Sequence, residues 1–168
     1  MREYIVDTNV PLVASGEAPQ MSYDCIIQCV NFLEDLMNGK YLLVIDKNFY
    51  IIGEYANKMT PLPTHKFCNR FYKWVLTNHN NSSKVKRVDI NQIDEYNFLE
   101  VPRRLIDINF DNSDRKFIAV AIANNNRAPI AQAADSKWIK WEHNIINEGI
   151  KILFLCRDEL EIINKRKR

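Results

Sequence analysis

Short apolar runs alternate with helical patterns along this chain, and that alternation constrains its fold more than any other feature. The runs at 4–6 and 41–45 are uninterrupted, and each ends at an aspartate, Asp7 and Asp46. Continuous apolar runs of this length are typical of strands buried on both faces of a sheet. Strands that alternate with helices predict a mostly parallel sheet between two helical layers. We therefore expect a three-layer α/β/α sandwich with four or five strands in its central sheet.

Turn and cap residues define the expected limits of the elements. Gly39 and Gly149 are placed to end two of the helices, and Asp46 is placed to cap another. Strands are predicted at 4–7, 41–45, 85–90, 129–134 and 150–155, with 85–90 at an edge of the sheet. Helices are predicted at 22–38, 47–59, 64–78, 112–124 and 136–147, with one or two short helices within 91–107.

Length and composition indicate one soluble globular domain. Of the 168 residues, 46% are hydrophobic and 26% are charged, which is an ordinary balance for such a domain. We expect a domain over 1–160 with a helical elaboration at about 60–105, followed by a basic tail at 161–168. No apolar run is long enough to span a bilayer, and the first is too short for a signal peptide. A cytoplasmic location without a membrane partner is therefore expected.

The cysteines and histidines do not form a recognisable metal-binding pattern. Cys25 and Cys29 lie four residues apart, on one face of a predicted helix, whereas Cys68 and Cys156 are isolated. A zinc knuckle has a shorter gap, and cysteine is among the most frequently buried residue types. We expect reduced, mostly buried thiols. The histidines are scattered, without the spacing of a metal site.

Four acidic residues stand where the predicted fold brings separate segments together. Asp7 and Asp135 each follow a predicted strand. Asp114 lies at the start of one helix, and Glu54 lies about two turns into another. Ligands of an open parallel sheet bind beyond the carboxyl ends of its strands, so these side chains are expected to converge there. Each acid taken singly has a structural alternative, since aspartate is common at strand ends and at helix starts.

An acidic cluster of this kind is unfavourable without a cation. Carboxylates held a few Å apart raise one another's pKa, and each pair costs on the order of 1 kcal/mol or more at intermediate dielectric. Mg²⁺ or Mn²⁺ accepts carboxylate oxygens and water as ligands. Either ion can acidify water and neutralise the charge that builds on a phosphodiester. The sequence therefore predicts a metal-dependent hydrolase without a nucleophilic side chain.

Four sequence segments around these acids form a further pattern: Tyr-Ile-Val-Asp-Thr-Asn-Val (4–10), Ile-Ile-Gly-Glu-Tyr (51–55), Asn-Ser-Asp-Arg-Lys-Phe-Ile-Ala-Val-Ala (112–121) and Ala-Asp-Ser-Lys-Trp (134–138). Together these segments resemble those of a known family, the PIN-domain nucleases, and especially the VapC-like toxin ribonucleases. Their order and spacing cover about residues 4–155. The opening Asp-Thr-Asn is the most specific of these words, and the match around Glu54 is the weakest.

The resemblance implies a role for each matching residue. Asp7, Glu54, Asp114 and Asp135 would be the catalytic, metal-binding acids. Asn9 would orient Asp7, and Thr8 or Ser136 would hold a carboxylate or a bound water. The family hydrolyses RNA phosphodiesters with Mg²⁺ or Mn²⁺; many members are toxins restrained by an antitoxin, and homodimers are frequent.

The chain departs from the family pattern in three places. It has extra sequence around 60–105, and Lys137 stands where a further acid often follows the fourth one. Asp111 is either an auxiliary ligand or, as we favour, a turn former. Phosphate contacts are predicted at Arg103, Arg104, Arg115 and Lys137. Trp138 and Trp141 share a helix face, and we interpret them as core or dimer packing rather than base stacking.

The leading interpretation is an endoribonuclease that is the toxin of a toxin–antitoxin pair, with RNA as substrate and an antitoxin protein as partner. One alternative is a PIN-like module that holds RNA or a protein with weak or no catalysis. Another is a DNA-directed nuclease in phage defence. The presence of all four acids favours the enzyme over the binding module.

Overall fold

Five parallel strands form the centre of the fold in a computed structural model that describes residues 1–125 and 127–166. The strands are β1 (Arg2–Val6), β2 (Tyr41–Asp46), β3 (Val85–Val88), β4 (Ile130–Gln132) and β5 (Ile152–Phe154). Their order in the sheet is β3-β2-β1-β4-β5, and every neighbouring pair is parallel. The predicted α/β/α sandwich is confirmed, and β3 lies at an edge as expected.

Helices cover both faces of this sheet. They are α1 (Asn9–Ala14), α2 (Tyr23–Met37), α3 (Tyr50–Met59), α4 (Phe67–Asn78), α5 (Arg103–Asp107), α6 (Arg115–Ala123), α7 (Lys137–Asn147) and α8 (Arg157–Arg166). A single 3-10 turn, Asn112–Asp114, precedes α6. Helices α1, α2 and α4 pack on one another, α6 lies against β1 and β2, and α7 contacts α5 and α8. Among the described residues, none of the helices combines the length and the apolar character that crossing a membrane requires.

Local chemistry accounts for several helix limits. Ser22 accepts a hydrogen bond from the Cys25 N–H and so caps α2, and Gly39 and Gly149 follow α2 and α7 with positive φ values. The carboxylate of Asp46 accepts hydrogen bonds from the N–H groups of Tyr50 (2.8 Å) and Ile51 (2.9 Å). Asp46 therefore caps the first turn of α3 with its side chain, but not from the predicted N-cap position. The helix begins at Tyr50 rather than near 47, and Phe49 is its N-cap residue.

Two helices differ from the sequence prediction: α1 and α8 were not predicted. The prediction of one or two short helices within 91–107 is confirmed by α5, and residues 91–101 form a loop with a bridge between Gln92 and Phe98. The region 60–105 thus contains α4, the edge strand β3, this loop and α5. Residues 161–166 belong to α8, in which Leu160 is buried, so most of the predicted tail is helical. The last two residues of that tail, 167–168, lie outside the described residues.

The prediction of reduced cysteines is wrong for one pair. Cys25 on α2 and Cys156 just before α8 form a disulfide across 131 residues of sequence, whereas Cys29 and Cys68 are free and buried. Sequence spacing offers no signal for a pairing of this length, because the fold alone brings the start of α8 onto α2. The Cys29 sulfur lies within 4.8 Å of the bonded pair, and burial raises the pKa of its thiol to about 12. The bonded sulfurs are thus not available as a three-thiolate metal site.

The strand order reverses direction between β1 and β4. The chain runs from β1 to β2 and β3 on one side, then returns to place β4 on the other side of β1. At such a switch point the connecting loops leave the carboxyl ends of adjacent strands in opposite directions, which opens a crevice for a ligand. Asp7 follows β1 and Asp135 lies shortly after β4, so the two acids flank this crevice.

Candidate functional site

A pocket of about 260 Å³ at the carboxyl edge of the sheet contains the acids singled out from the sequence. It is lined by Asp7, Thr8, Asn9, Leu12, Glu54, Lys58, Asp114 and Asp135. The acids come from four separate segments: the ends of β1 and β4, the turn before α6, and the middle of α3. The structure thus brings all four predicted acids to one place.

Neutral hydrogen-bond donors hold Asp7 in position. Its Oδ1 accepts from the backbone N–H of Asn9 at 2.9 Å and from the Asn9 amide at 2.6 Å, and its Oδ2 accepts from Gln132 Nε2 at 3.2 Å. The Asn9 Oδ1 in turn accepts from the N–H groups of Ala133 and Ala134. Asn9 therefore ties Asp7 to the segment after β4, which is the orienting contact that the family resemblance implied.

Asp114 is held by an indole. Trp138 Nε1 donates to Asp114 Oδ2 at 3.1 Å, and both residues are buried. The Trp138 ring packs edge-on against Phe110, as does the ring of the buried Trp141. The two tryptophans thus belong to the core, in agreement with the packing interpretation, while Trp138 also reaches the candidate site.

Glu54 is bound to a hydroxyl and to a lysine. Thr8 Oγ1 donates to Glu54 Oε1 at 2.6 Å, and the Lys116 ammonium pairs with Glu54 Oε2 and also donates to the Ser113 carbonyl. Thr8 therefore holds a carboxylate, one of the two roles considered for it. Ser136 is buried beside Asp135 at the start of α7.

Asp111 and Lys137 lie at the edge of the site. Asp111 Oδ1 accepts from the N–H and hydroxyl of Ser113, and its Oδ2 pairs with Lys137 Nζ at 3.1 Å. Burial alone would raise the pKa of Asp111, but the Ser113 and Lys137 contacts outweigh it and hold that pKa below its usual value. Asp111 thus forms the turn before α6, while Lys137 presents a cation near Asp135, whose Oδ1 accepts from the Lys137 N–H at 2.9 Å.

Burial and mutual repulsion raise the pKa of two of the acids. Burial raises the pKa of Asp7 well above its usual value, and the charges of Asp114, Glu54 and Asp135 raise it further against the Asn9 hydrogen bond. The pKa of Asp114 rises to about 7, first through burial and then through Asp111, Asp135 and Glu54, with Lys116 opposing. Within the described residues, no lysine or arginine forms an ion pair with Asp7, Asp114 or Asp135.

The chemistry of this donor set fits a hard divalent cation. The acids offer only oxygen ligands, which Mg²⁺ and Mn²⁺ prefer. Among the described residues, no three of the acids bring their ligand oxygens within 4.8 Å of one another. The set therefore does not form a closed cage of protein ligands, and an ion here would be held through one or two carboxylates with several waters retained.

The predicted phosphate contacts are distributed unevenly. Lys137 lies at the site, as described above. Arg115 is buried, and its guanidinium donates to the Phe110 carbonyl at 3.1 and 3.2 Å and to Asn97 Oδ1. These contacts anchor the 91–101 loop to α6 and favour a structural role. Arg103 and Arg104 are exposed on α5, and neither lines the acidic pocket.

Sequence reasoning missed several residues that support the acids. Gln132 is fully buried in β4, and a glutamine within a run of small residues was the one available signal for it. Tyr55 lies fully buried beneath the site and donates to the Val6 carbonyl at 2.6 Å. Lys58 and Lys116 give no sequence signal, because their proximity to Glu54 and the acidic pocket depends on how α3 and α6 pack.

Comparisons with known proteins leave the chain unassigned to a family: no family model matches it, and neither a curated protein nor a solved structure matches it significantly.

Proposed function

We propose that this chain is a metal-dependent endoribonuclease that hydrolyses RNA phosphodiester bonds. One observation carries the proposal: four carboxylates from four separate segments line one pocket at the switch point of a parallel sheet. Acids with only a structural role are usually paired with a cation or a cap, whereas Asp7 and Asp114 have raised pKa values in a common pocket. This arrangement suits residues that receive their positive charge from a bound ion.

Asp7, Glu54, Asp114 and Asp135 would hold the ion, one or two of them in direct contact with it and the others through retained water. No three of these acids bring their ligand oxygens within 4.8 Å of one another in the described part of the chain. When bound, Mg²⁺ or Mn²⁺ supplies Lewis-acid chemistry, which acidifies water and neutralises charge on a phosphodiester. Asn9 and Gln132 fix both oxygens of Asp7, and Trp138 fixes one oxygen of Asp114. Because these donors are neutral, they orient the carboxylates without cancelling their charge. Preorganised supports of this kind keep metal ligands in their working geometry.

Basic side chains at the rim suit an anionic polymer. Lys58 is exposed and lines the acidic pocket, and Lys137 is exposed beside Asp135. Lysines at the border of an acidic site can attract the phosphates on either side of the one that is cut. A toxin role, an antitoxin partner, a homodimer and a cytoplasmic setting complete the proposal, and they derive from the sequence resemblance and the sequence pattern alone.

Cleavage of a defined single-stranded RNA tests the proposal. Wild-type protein should cut the RNA with Mg²⁺ or Mn²⁺ and not with EDTA. Asp7→Asn, which keeps the side-chain shape, should be slower by about 100-fold or more, the scale of losing one electrostatic stabiliser of a transition state. Glu3→Gln is the matched control, because it removes a carboxylate at the opposite end of the same strand, and it should cleave like the wild type.

Three outcomes would contradict the proposal. Cleavage that survives in Asp7→Asn would mean that the acids do not act in the reaction. A wild-type protein that cuts no RNA with either metal would favour the binding module, and cleavage of a DNA strand of the same sequence in place of RNA would favour the DNA-directed nuclease.

A further inference from the structure

A second cavity, of about 390 Å³, adjoins the acidic pocket along α3. Glu54 and Lys58 line both cavities, so one face of the helix forms their common wall. Phe49, Gly53 and Asn57 also line the second cavity. Gly53 and Asn57 lie four residues apart on one face of α3, and Phe49 is the residue that precedes the helix. The volume falls within the roughly 300–1,000 Å³ of cavities that bind small ligands.

Gly53 is a residue that the fold does not explain. It lies inside α3, where glycine is the least favourable residue apart from proline, and it does not have a left-handed backbone. A Cβ built on it would meet no atom within 4 Å, so no neighbouring element requires the missing side chain. The glycine is explained if the cavity must stay open for a ligand that approaches the helix closely.

Phe49 shows the opposite mismatch. Its φ of 65° lies in the left-handed region, which is rare for a bulky residue and is usually occupied by glycine or asparagine in turns. The side chain is nevertheless 44% exposed, with its ring edge-on to His79 at 5.5 Å. An aromatic ring kept at a strained and exposed position is explained if its free surface stacks on a ligand.

The charged residues of the cavity lie on the side of the acids. Lys58 is exposed at the boundary of the two cavities, and Lys116 is held there by Glu54. Asn57, one helical turn beyond Gly53, offers an amide that both donates and accepts hydrogen bonds. These features match the parts of a nucleotide. The cation next to the acids suits its phosphate, the ring of Phe49 and the open space over Gly53 suit the face of its base, and the amide of Asn57 suits the edge of its base.

We propose that this second cavity is a nucleotide subsite, which takes the base of the residue next to the phosphodiester that is cut. The base stacks on Phe49 over Gly53, and Lys58 contacts the phosphate that joins it to the acidic pocket. The proposal rests on the ribonuclease function proposed above. It implies that the base must be unpaired, since a base inside a duplex is not free to enter a cavity in this way.

Steady-state cleavage of a short single-stranded RNA tests the subsite. Phe49→Asn removes the ring but tolerates the left-handed backbone, and Gly53→Leu extends a bulky side chain from a position where a Cβ meets no atom within 4 Å. Each should raise KM by roughly 5- to 150-fold, the range for losing one stacked base, with a smaller change in kcat. Gly53→Ala should have a smaller effect than Gly53→Leu. Tyr23→Asn, which removes another exposed aromatic ring outside both cavities, should match the wild type.

A binding measurement separates this proposal from the proposed function. The anisotropy of a labelled single-stranded RNA, measured with Asp7→Asn protein, should show weaker binding when Phe49→Asn is added, and melting curves should show that each variant is folded. If folded Phe49→Asn and Gly53→Leu proteins have the KM of the wild type, the subsite is overturned. The proposed nuclease function would still stand as long as the wild type cleaves RNA. Equal affinity for duplex RNA would also overturn the subsite. A wild-type protein that neither binds nor cuts RNA would overturn both proposals.

Discussion

The carboxylates at the two ends of strand β1 lie in opposite electrostatic surroundings. At the amino end, Glu3 pairs with Lys86 at 3.1 Å and accepts from Asn124 at 2.7 Å. Burial would raise the pKa of Glu3, but these contacts and the charge of Arg127 hold it below its usual value. At the carboxyl end, Asp7 has neutral partners only, and burial with the neighbouring acids raises its pKa. The fold thus compensates the charge of Glu3 with a lysine. It gives Asp7 no such partner, so Asp7 either carries an uncompensated charge or is protonated.

This difference indicates which end of β1 is the better candidate for a ligand site. A cavity of about 470 Å³ at the amino end is larger than the acidic pocket, yet its one acid, Glu3, is already paired. Size alone would therefore point to the wrong end of the strand. The informative property is uncompensated charge. At the acidic end Lys116 pairs with Glu54, but among the described residues Asp7, Asp114 and Asp135 have no lysine or arginine as an ion-pair partner, and acids with perturbed pKa values in a cleft are typical of functional sites.

Removing a neutral donor from the acidic end should have the largest effect on activity among the changes around the acidic pocket that leave its acids in place. Trp138→Phe keeps a ring in the core but removes the hydrogen bond to Asp114 Oδ2. Loss of such a supporting contact typically costs about 10- to 100-fold in metal affinity or activity, and the metal dependence of cleavage should shift accordingly. Trp141→Phe changes the same core cluster, at a position that does not line the acidic pocket, and should have little effect on that dependence. Equal losses in both variants would mean that Trp138 acts through packing alone.

Metal binding should raise the stability of the folded protein through the acids at the carboxyl end of β1, and not through Glu3 at its amino end. If the acids receive an ion, Mg²⁺ or Mn²⁺ at ten times its Kd should stabilise the protein by about 1.4 kcal/mol, or roughly 3–6 °C in Tm. Calorimetry measures this shift in Tm, and added EDTA should reverse it. Glu3→Gln should retain it, and Asp7→Asn should reduce it. A Tm that stays flat across millimolar metal would contradict a site formed in the folded protein.

Much of the fold was predictable because strands β1 and β2 contain continuous apolar runs, which are typical of strands buried on both faces of a parallel sheet. Strand positions agree with prediction to within a few residues. Helix α8 was missed because it has a strongly charged composition, with only Leu160 buried and Ile163 partly buried. Helix α1 was missed because it has six residues and contains Pro11. In both cases tertiary packing, rather than a periodic pattern, supports the helix.

The candidate site was predictable in its acids and not in their partners. Asp7 and Asp135 follow apolar strands, so a rule about strand ends locates them. The contacts from Gln132 to Asp7 and from Lys116 to Glu54 join residues 125 and 62 positions apart. Such pairs depend on the register of β1 with β4 and on the packing of α3 on α6, which a single sequence does not reveal. The same reason explains why the Cys25–Cys156 bond was not foreseen.

The smallest expected effect is also the most direct test of charge at the acidic end. Asp114→Asn should make the metal-free protein more stable, because it removes one carboxylate from the cluster and retains an oxygen that can accept from Trp138. Relief of one such repulsion is on the order of 1 kcal/mol, which corresponds to roughly 2–4 °C in Tm. Glu3→Gln should have the opposite sign, because it breaks an ion pair, at a cost of about 0–1 kcal/mol.

The pH dependence of this gain tests whether it comes from the charge of Asp114, which burial and the neighbouring acids both disfavour in the folded protein. Asp114 titrates near 3.8 in the unfolded chain and at about 7 in the folded protein. Between these values the folded state keeps a proton that the unfolded state has released, so the stability of the wild type falls as pH rises through this window. The melting curves of wild type and Asp114→Asn in EDTA should therefore coincide below about pH 4 and separate fully above about pH 7. An Asp114→Asn protein that melts below the wild type at every pH would show that Asp114 is a structural cap of the turn before α6. The contrast between the two ends of β1 would then lose its functional meaning.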